Sequence, residues 1–259
     1  MIKLIVSDVD GTLLKKGETK LPDGMIERIN ELGDQGIAFA VASGRQYGNL
    51  RRLFKQAKHD ILYIAENGAL VVYKGKILNK IPINRMLGME IMEDIWNTEG
   101  CEILLSGRDT SYLMPKKISY FEHIEKVIGN QCTIVEDFAA IDEDFLKLSA
   151  YNESGINEYS DYFIDKWGDR VKAVVSGECW LDFTNRFADK GSAVAMFQKQ
   201  HGISIEDTMT FGDSYNDLEM FERSYFSYAM QHADGKIKQA ARHITPDVES
   251  ILTDVLRMR

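Results

Sequence analysis

The stretch Ile2-Lys3-Leu4-Ile5-Val6-Ser7-Asp8-Val9-Asp10-Gly11-Thr12-Leu13 decides how the rest of the chain is read. Its apolar run, residues 2–6, predicts a buried strand that feeds directly into two carboxylates two residues apart. Asp8 and Asp10 therefore stand at the carboxyl end of a strand, where ligands of open α/β sheets bind. Crowded anions repel unless one is protonated or a cation bridges them, and an oxygen-rich site of this kind suits Mg²⁺. A carboxylate can also attack phosphorus to give an aspartyl-phosphate, with a second acid to protonate the leaving alkoxide. Gly11 lets the backbone turn sharply beside a ligand. Standing alone, Asp-x-Asp reads as a polar strand-end turn, so its meaning rests on what surrounds it.

Working outward, short apolar runs alternate with amphipathic stretches, the pattern of a parallel sheet with crossover helices. The spacing predicts a helix over 22–35, with Pro22 in its first turn and Gly36 at its end, then a strand over 37–42. A helix over 46–58 and a strand over 61–65 follow, then a small hairpin turning at Asn67-Gly68 and Lys74-Gly75. Past residue 84 the rhythm becomes a helix followed by paired strands. Helices are expected over 85–99, 118–128 and 156–167, with extended segments at 101–105, 111–114, 146–151, 171–175 and 179–183, the last two turning at Ser176-Gly177-Glu178. After residue 185 the parallel rhythm returns, with helices over 190–200, 235–242 and 247–256 and strands over 208–211 and 225–229. The expected organisation is a doubly wound parallel core of residues 1–83 and 186–259, interrupted by an inserted α+β module, 84–185.

With 31 Lys plus Arg against 40 Asp plus Glu, the formal net charge of the 259 residues is −9. No basic block is present, so a general nucleic-acid binder is not expected. No apolar run reaches membrane-span length and the start meets an acid too soon for a signal peptide, so a cytoplasmic protein is expected. Cys101, Cys132 and Cys179 are too far apart for a zinc knuckle and odd in number, so they read as packed, reduced thiols. The eleven methionines read as core filler.

Three later stretches change the weight of the first. Ala42-Ser43-Gly44-Arg45 ends the second strand, where a hydroxyl and a glycine N–H can cradle phosphate oxygens; alone, Ser43 reads more readily as a plain helix N-cap. Lys190, between Asp189 and Gly191 at a helix start, offers a compact positive charge. Gly212-Asp213-Ser214-Tyr215-Asn216-Asp217 puts a third acid at a strand end, with more oxygen ligands one helical turn on. Capping explains one of Asp213 or Ser214, but not the whole run.

These four stretches, in this order, resemble the signature motifs of the haloacid dehalogenase superfamily of phosphotransferases. The long insertion, Asn67-Gly68-Ala69 and Ala229-Met230 resemble its Cof-type branch of sugar-phosphate phosphatases. The resemblance covers essentially the whole chain and implies a Rossmann-like core with an inserted α+β cap. It implies Asp8 as nucleophile and Mg²⁺ ligand, and Asp10 as general acid and base that lends its backbone carbonyl to the metal. It also implies Asp213 as a further metal ligand, and Ser43, Gly44, Lys190 and Asn216 around the phosphoryl group. Asp217 and Asn216 would order water on the metal or the phosphate from a second layer. A departure lies near the end: Gln231 and His232 stand where glycine and asparagine are usual in the branch, and His232 is expected on a peripheral loop. Specificity would reside in the insertion, a lid in this family, with Arg108, Asp109, Tyr112, Trp180, Asp182, Asn185 and Arg186 as candidate leaving-group contacts and Trp180 and Phe183 packed inside it.

The expected activity is Mg²⁺-dependent hydrolysis of small phosphorylated metabolites, sugar phosphates foremost, by a monomer or weak homodimer without nucleic-acid or membrane partners. The alternatives are a phosphomutase or dedicated sugar-phosphate phosphatase of the same superfamily, and a noncatalytic sensor of phosphorylated ligands. A nucleotide-sugar glycosyltransferase fits the strand-end acids and the late acidic run poorly.

Overall fold

The computed structural model describes residues 1–15 and 17–258. Strand β1 (Leu4–Ser7) is buried along its whole length and leads through α1 (Met25–Asp34) to β2 (Ala38–Ala42). Helix α2 (Tyr47–Leu53), β3 (Leu62–Ala65), β4 (Leu70–Tyr73) and β5 (Lys76–Lys80) follow. The insert holds α3 (Arg85–Asn97), β6 (Cys101–Ser106), β7 (Ser111–Leu113), α4 (Ile118–Glu122), β8 (Cys132–Ile134), β9 (Lys147–Asn152), α5 (Asn157–Trp167), β10 (Lys172–Gly177) and β11 (Trp180–Thr184). The chain ends with α6 (Lys190–His201), β12 (Thr208–Gly212), α7 (Leu218–Phe221), β13 (Phe226–Met230), α8 (Gly235–Ala240), β14 (His243–Thr245) and α9 (Val248–Arg257).

The first sheet has the order β14-β13-β12-β1-β2-β3-β4-β5, parallel from β14 to β3 and antiparallel where β4 turns back on β3. Central parallel strands are covered on both faces, which is why β1 and β2 are nearly continuous apolar runs and β12 is buried along its whole length. Sequence order reverses between β1 and β12, whose pairing sets Ser7 against Phe211. Ligands collect at such a reversal, outside the carboxyl ends of the strands. Leu4, Val6, Ala40, Leu62, Ile64, Val194 and Phe197 pack one core of this unit.

The second sheet, β10-β11-β9-β6-β7-β8, is antiparallel except for β7 with β8. Its core joins Ile91 and Ile95 of α3, Phe163 of α5, and Ile103, Leu148, Leu181 and Phe183 of the strands. The chain accordingly splits into two compact units, Met1–Arg45 with Leu50–Asn79 and Asp189–Arg259, and Gln46–Asn49 with Lys80–Ala188. Among the described residues no helix is long and apolar enough to cross a membrane.

Several elements differ from expectation for local reasons. Helix α1 starts three residues after Pro22, because Gly24 takes a left-handed conformation (φ 78°) at its N-cap and Pro22 sits in the preceding turn. Helix α2 stops at Leu53; beyond it the Lys58 N–H is captured by the Asn30 side chain at 2.7 Å. The 118–128 helix is α-helical only to Glu122 and continues as a π turn through Ile128. Ser176 and Gly177 belong to β10, across a bulge, so the hairpin turns at Glu178-Cys179 instead. The sequence reading missed β8 and β14; each is three residues long and at a sheet end.

Candidate active site

Three neighbouring strands deliver the first acids and the hydroxyl. Asp8 follows β1, with its N–H donating to the Phe211 carbonyl at 2.9 Å, while Asp213 follows β12 and Ser43 follows β2. Adjacency in the sheet thus brings together residues far apart in the chain. Lys190 opens α6, whose cap is Asp189: its side chain accepts the Ser192 N–H at 2.6 Å. Gly191 lies so close to α7 that a β-carbon there would stand 2.2 Å from the Glu219 carbonyl oxygen. That close approach helps seat the start of α6 in the unit.

Lys190 is fully buried and donates to Asp8 Oδ1 at 2.6 Å and to Asp217 Oδ1 at 2.7 Å. The second oxygen of Asp217 accepts the N–H groups of Asp213 and Ser214, each at 3.0 Å. Asp217 therefore acts on the site through Lys190 and the Asp213 loop. Thr12 donates to Asp213 Oδ1 at 2.9 Å, tying the first loop to the last. Gly11 (φ 90°) lies below that carboxylate, and a β-carbon there would stand 2.3 Å from Asp213 Oδ2. Any side chain would displace the acid.

Carboxylate oxygens of Asp8, Asp213 and Asp217 lie within 4.8 Å of one another, with one ammonium among them. Burial holds the Asp8 carboxyl well above the usual carboxylate range; Lys190 pulls it back down, and Asp217 and Asp213 push it further up. Burial also raises Asp213, against the Thr12 hydrogen bond and with the charge of Asp217. For Lys190 burial works the other way, but the charges of Asp217 and Asp8 prevail and raise it above the usual lysine value. The lysine stays an ammonium, and three ionised carboxylates around it would outweigh its charge by two.

A divalent cation would make up that difference. Asp8 Oδ2 and Asn216 Oδ1 are buried and have no hydrogen-bond partner among the described residues. Buried oxygens left this way are costly unless something binds them. Asp8 and Asp213 offer neighbouring carboxylate oxygens, and the Asn216 amide offers a further buried one; oxygen donors of this kind suit Mg²⁺.

The remaining candidates are placed unevenly. Ser43 is buried and its Oγ accepts the Arg45 N–H at 3.1 Å. That bond shapes the loop ahead of α2 and leaves the hydroxyl proton free to donate. Gly44 faces Asn67, whose Nδ2 would stand 3.2 Å from a β-carbon there. Asn216 donates from Nδ2 to Asn67 Oδ1 at 2.9 Å. The Asp10 carboxylate stands apart from the acid cluster, half exposed, forked by Arg45 through Nε at 2.7 Å and a terminal nitrogen at 2.5 Å. His232, expected at the periphery, is exposed but has Nε2 3.7 Å from Asp213 Oδ2.

Sequence reasoning assigned no role to Arg45, Thr12 or Asn67, although all three lie in stretches it quoted. The signal available was a cation immediately after Ser43-Gly44.

Most candidate contacts in the insert are engaged within it. Tyr112 donates to Glu143 Oε2 at 2.8 Å, and Asp182 accepts from Ser149 at 2.6 Å. Asn185 donates to the Pro82 carbonyl at 2.7 Å, Arg186 reaches the Asp169 carbonyl at 3.3 Å, and Arg108 faces Asp109 at 3.4 Å. Trp180 packs on Tyr151 with ring centres 4.6 Å apart, and Phe183 lies in the insert's core. The three cysteines are free, and burial raises the thiols of Cys101 and Cys132, the latter to about 11.

Comparison with known proteins agrees with this geometry. Residues 5–251 match the model of the haloacid dehalogenase-like hydrolases. The 5-amino-6-(5-phospho-D-ribitylamino)uracil phosphatase YbjI of Escherichia coli (strain K12) is 27% identical over 243 residues, covering 93% of this chain and 90% of that one. The HMP-PP phosphatase of Enterobacter sp. (strain 638) is 25% identical over 230 residues, covering 85% and 80%. A crystallised protein of Eubacterium rectale superposes with a TM-score of 0.88 at 26% identity, covering 99% of this chain and 98% of its own. With its sheet order, acid-bearing strand ends and buried lysine, the chain belongs to the haloacid dehalogenase-like hydrolase family.

Proposed function

We propose that the protein is a Mg²⁺-dependent phosphatase of small phosphorylated metabolites, sugar phosphates foremost, working in the cytoplasm through an aspartyl-phosphate on Asp8. The observation that carries this reading is the asymmetry of Asp8: Lys190 pins Oδ1, while Oδ2 is buried with no partner among the described residues. One oxygen is held and the other is available to attack.

In the first step Asp8 Oδ2 forms a bond to phosphorus as the bond from phosphorus to the leaving oxygen breaks, and Asp10 gives that oxygen a proton. In the second, water attacks phosphorus, Asp10 takes its proton, and the Asp8–phosphorus bond breaks to release phosphate. Lys190, the Ser43 hydroxyl and the Gly44 backbone would hold the phosphoryl oxygens, since this chemistry needs chiefly positioning and charge neutralisation. Bound at Asp8, Asp213 and the Asp10 carbonyl, Mg²⁺ would supply charge for the phosphoryl oxygens. The Asp10 side chain must exchange Arg45 for the leaving group during the cycle. In this reading the insert, residues 84–185, selects the leaving group.

The relatives support the substrate class: one is named for a phosphorylated ribitylaminouracil, the other for HMP-PP. The test is a screen of the purified protein with Mg²⁺ against phosphorylated sugars, nucleotides and cofactors. Phosphate release that disappears in Asp8→Asn is expected. Transfer to a second hydroxyl instead of water would make it a mutase, and tight binding without release would make it a sensor.

A further inference from the structure

Residues 66–68 join β3 to β4 in a conformation that most side chains avoid. Glu66 (φ 49°) and Asn67 (φ 55°) are both left-handed, followed by Gly68 at φ 97°. Asn tolerates that region better than Glu, and neither is as free there as glycine. Backbone strain of this kind persists where the surroundings over-determine it, and it collects at functional sites.

The surroundings here are three of the loops already described. The Asn67 N–H donates to the Ser43 carbonyl at 2.9 Å and the Glu66 N–H to the Arg45 carbonyl at 3.1 Å. Asn67 Oδ1 accepts Asn216 Nδ2 at 2.9 Å, and its Nδ2 faces Gly44. Gly68 presses on the residue before Lys190, so that a β-carbon there would stand 2.3 Å from the Asp189 carbonyl oxygen. One strained loop thus braces the loops of Ser43-Gly44, Lys190 and Asn216.

We infer that Asn67 is a positioning residue for the anion and cation site, an inference that rests on the phosphatase reading above. Its amide sets the spacing between Gly44 and Asn216 and fixes which end of the Asn216 amide is left for a ligand. With Nδ2 engaged by Asn67, that end is the buried Oδ1. A carbonyl oxygen only accepts hydrogen bonds. It therefore suits a cation, or water held on one, and not the oxygens of phosphate, which also accept. The strain holds Asn67 where its side chain spans both loops.

Two substitutions separate the side chain from the strain. Asn67→Gly deletes the amide and relaxes the backbone, whereas Asn67→Ala deletes the amide and keeps the strain. Isothermal titration with Mg²⁺, and with inorganic phosphate in Mg²⁺, is expected to show affinities about tenfold weaker in both variants, the scale of losing an outer partner of a metal site. Their melting temperatures should diverge, with Asn67→Gly at or above the wild type and Asn67→Ala below it. Asn67→Gly combined with Asn216→Ala should bind Mg²⁺ no more weakly than Asn216→Ala alone, since Asn67 acts on the cation through Asn216. Wild-type affinities in Asn67→Gly, beside a wild type that binds phosphate and hydrolyses p-nitrophenyl phosphate, would overturn this inference alone. A wild type that does neither would overturn the phosphatase reading and this inference together.

Discussion

In the insert, Glu102 accepts the N–H groups of Lys116 and Lys117 on its two oxygens at 3.0 and 3.1 Å, and Asp182 is held by Ser149 and Lys147. In the first unit, Asp8 has one oxygen on Lys190 and the other on no described residue. Burial is similar, 5% exposure for Glu102 and 5% for Asp8. What differs is saturation. A buried acid with both oxygens occupied stabilises its own neighbourhood, and one with an open oxygen is kept at a cost that a ligand can offset.

The sharpest way to break that contrast is at Asp8. Asp8→Asn should lower kcat by roughly 10⁴-fold or more while leaving the circular dichroism spectrum unchanged. Retained turnover would put Asp8 in the same class as Glu102. Lys190→Ala comes next, because it strands Asp8 and Asp217 without their ammonium. Chemical denaturation should show a loss of about 3–5 kcal/mol together with loss of activity.

Metal and pH probe the same open oxygens more gently. Asp8 and Asp213 both titrate above the ordinary carboxylate value in the fold. The folded chain therefore holds more protons than the unfolded chain between the ordinary and the raised values. The stability this contributes is complete below about pH 4, where the unfolded carboxylates titrate, and is lost as pH rises through the raised values. Melting curves in EDTA should accordingly fall as pH climbs above about 4. At about a hundred times its pH 7.5 dissociation constant, Mg²⁺ should restore about 2.7 kcal/mol at pH 7.5, and the same concentration should restore less at pH 5.5, where protons compete for the carboxylates. An increment independent of pH would separate the metal from these acids.

Arg45→Met tests whether the fork on Asp10 matters to acid catalysis. Hydrolysis of alkyl phosphates should slow by about 100-fold. Aryl phosphates, whose leaving groups need less protonation, should be far less affected. Equal losses on both would make Arg45 merely structural. The smallest effect on chemistry is expected in the insert, where Glu102→Gln should cost about 1–3 kcal/mol of stability and leave kcat unchanged.

How far the sequence could be read follows the same division. β1, β2 and β12 were legible because central parallel strands leave little choice of residue, while β8 and β14 are short edge strands without that constraint. Asp8, Lys190, Asp213 and Asp217 could be grouped because the family resemblance implies one site for them, and strand ends and a helix start locate their backbones. Side-chain partners were not legible. The Lys190–Asp8 bond spans 182 residues, and the turn of Asp10 toward Arg45 is a rotamer choice made by a neighbouring loop. Asp217 illustrates the limit: its place in the cluster was legible, but not that Lys190 and two backbone N–H groups would occupy both its oxygens. His232 beside Asp213 was not expected either, since a short loop after β13 says little about which way a histidine faces.

The central claim is that Asp8 carries the phosphoryl group. Quenching the enzyme during turnover, reducing it with borohydride and mapping its peptides by mass spectrometry tests this directly, because reduction converts a phosphorylated aspartate to homoserine. The account predicts homoserine at position 8, formed only when both substrate and Mg²⁺ are present. Label at Asp10 or Asp213, or none during rapid steady turnover, would contradict it.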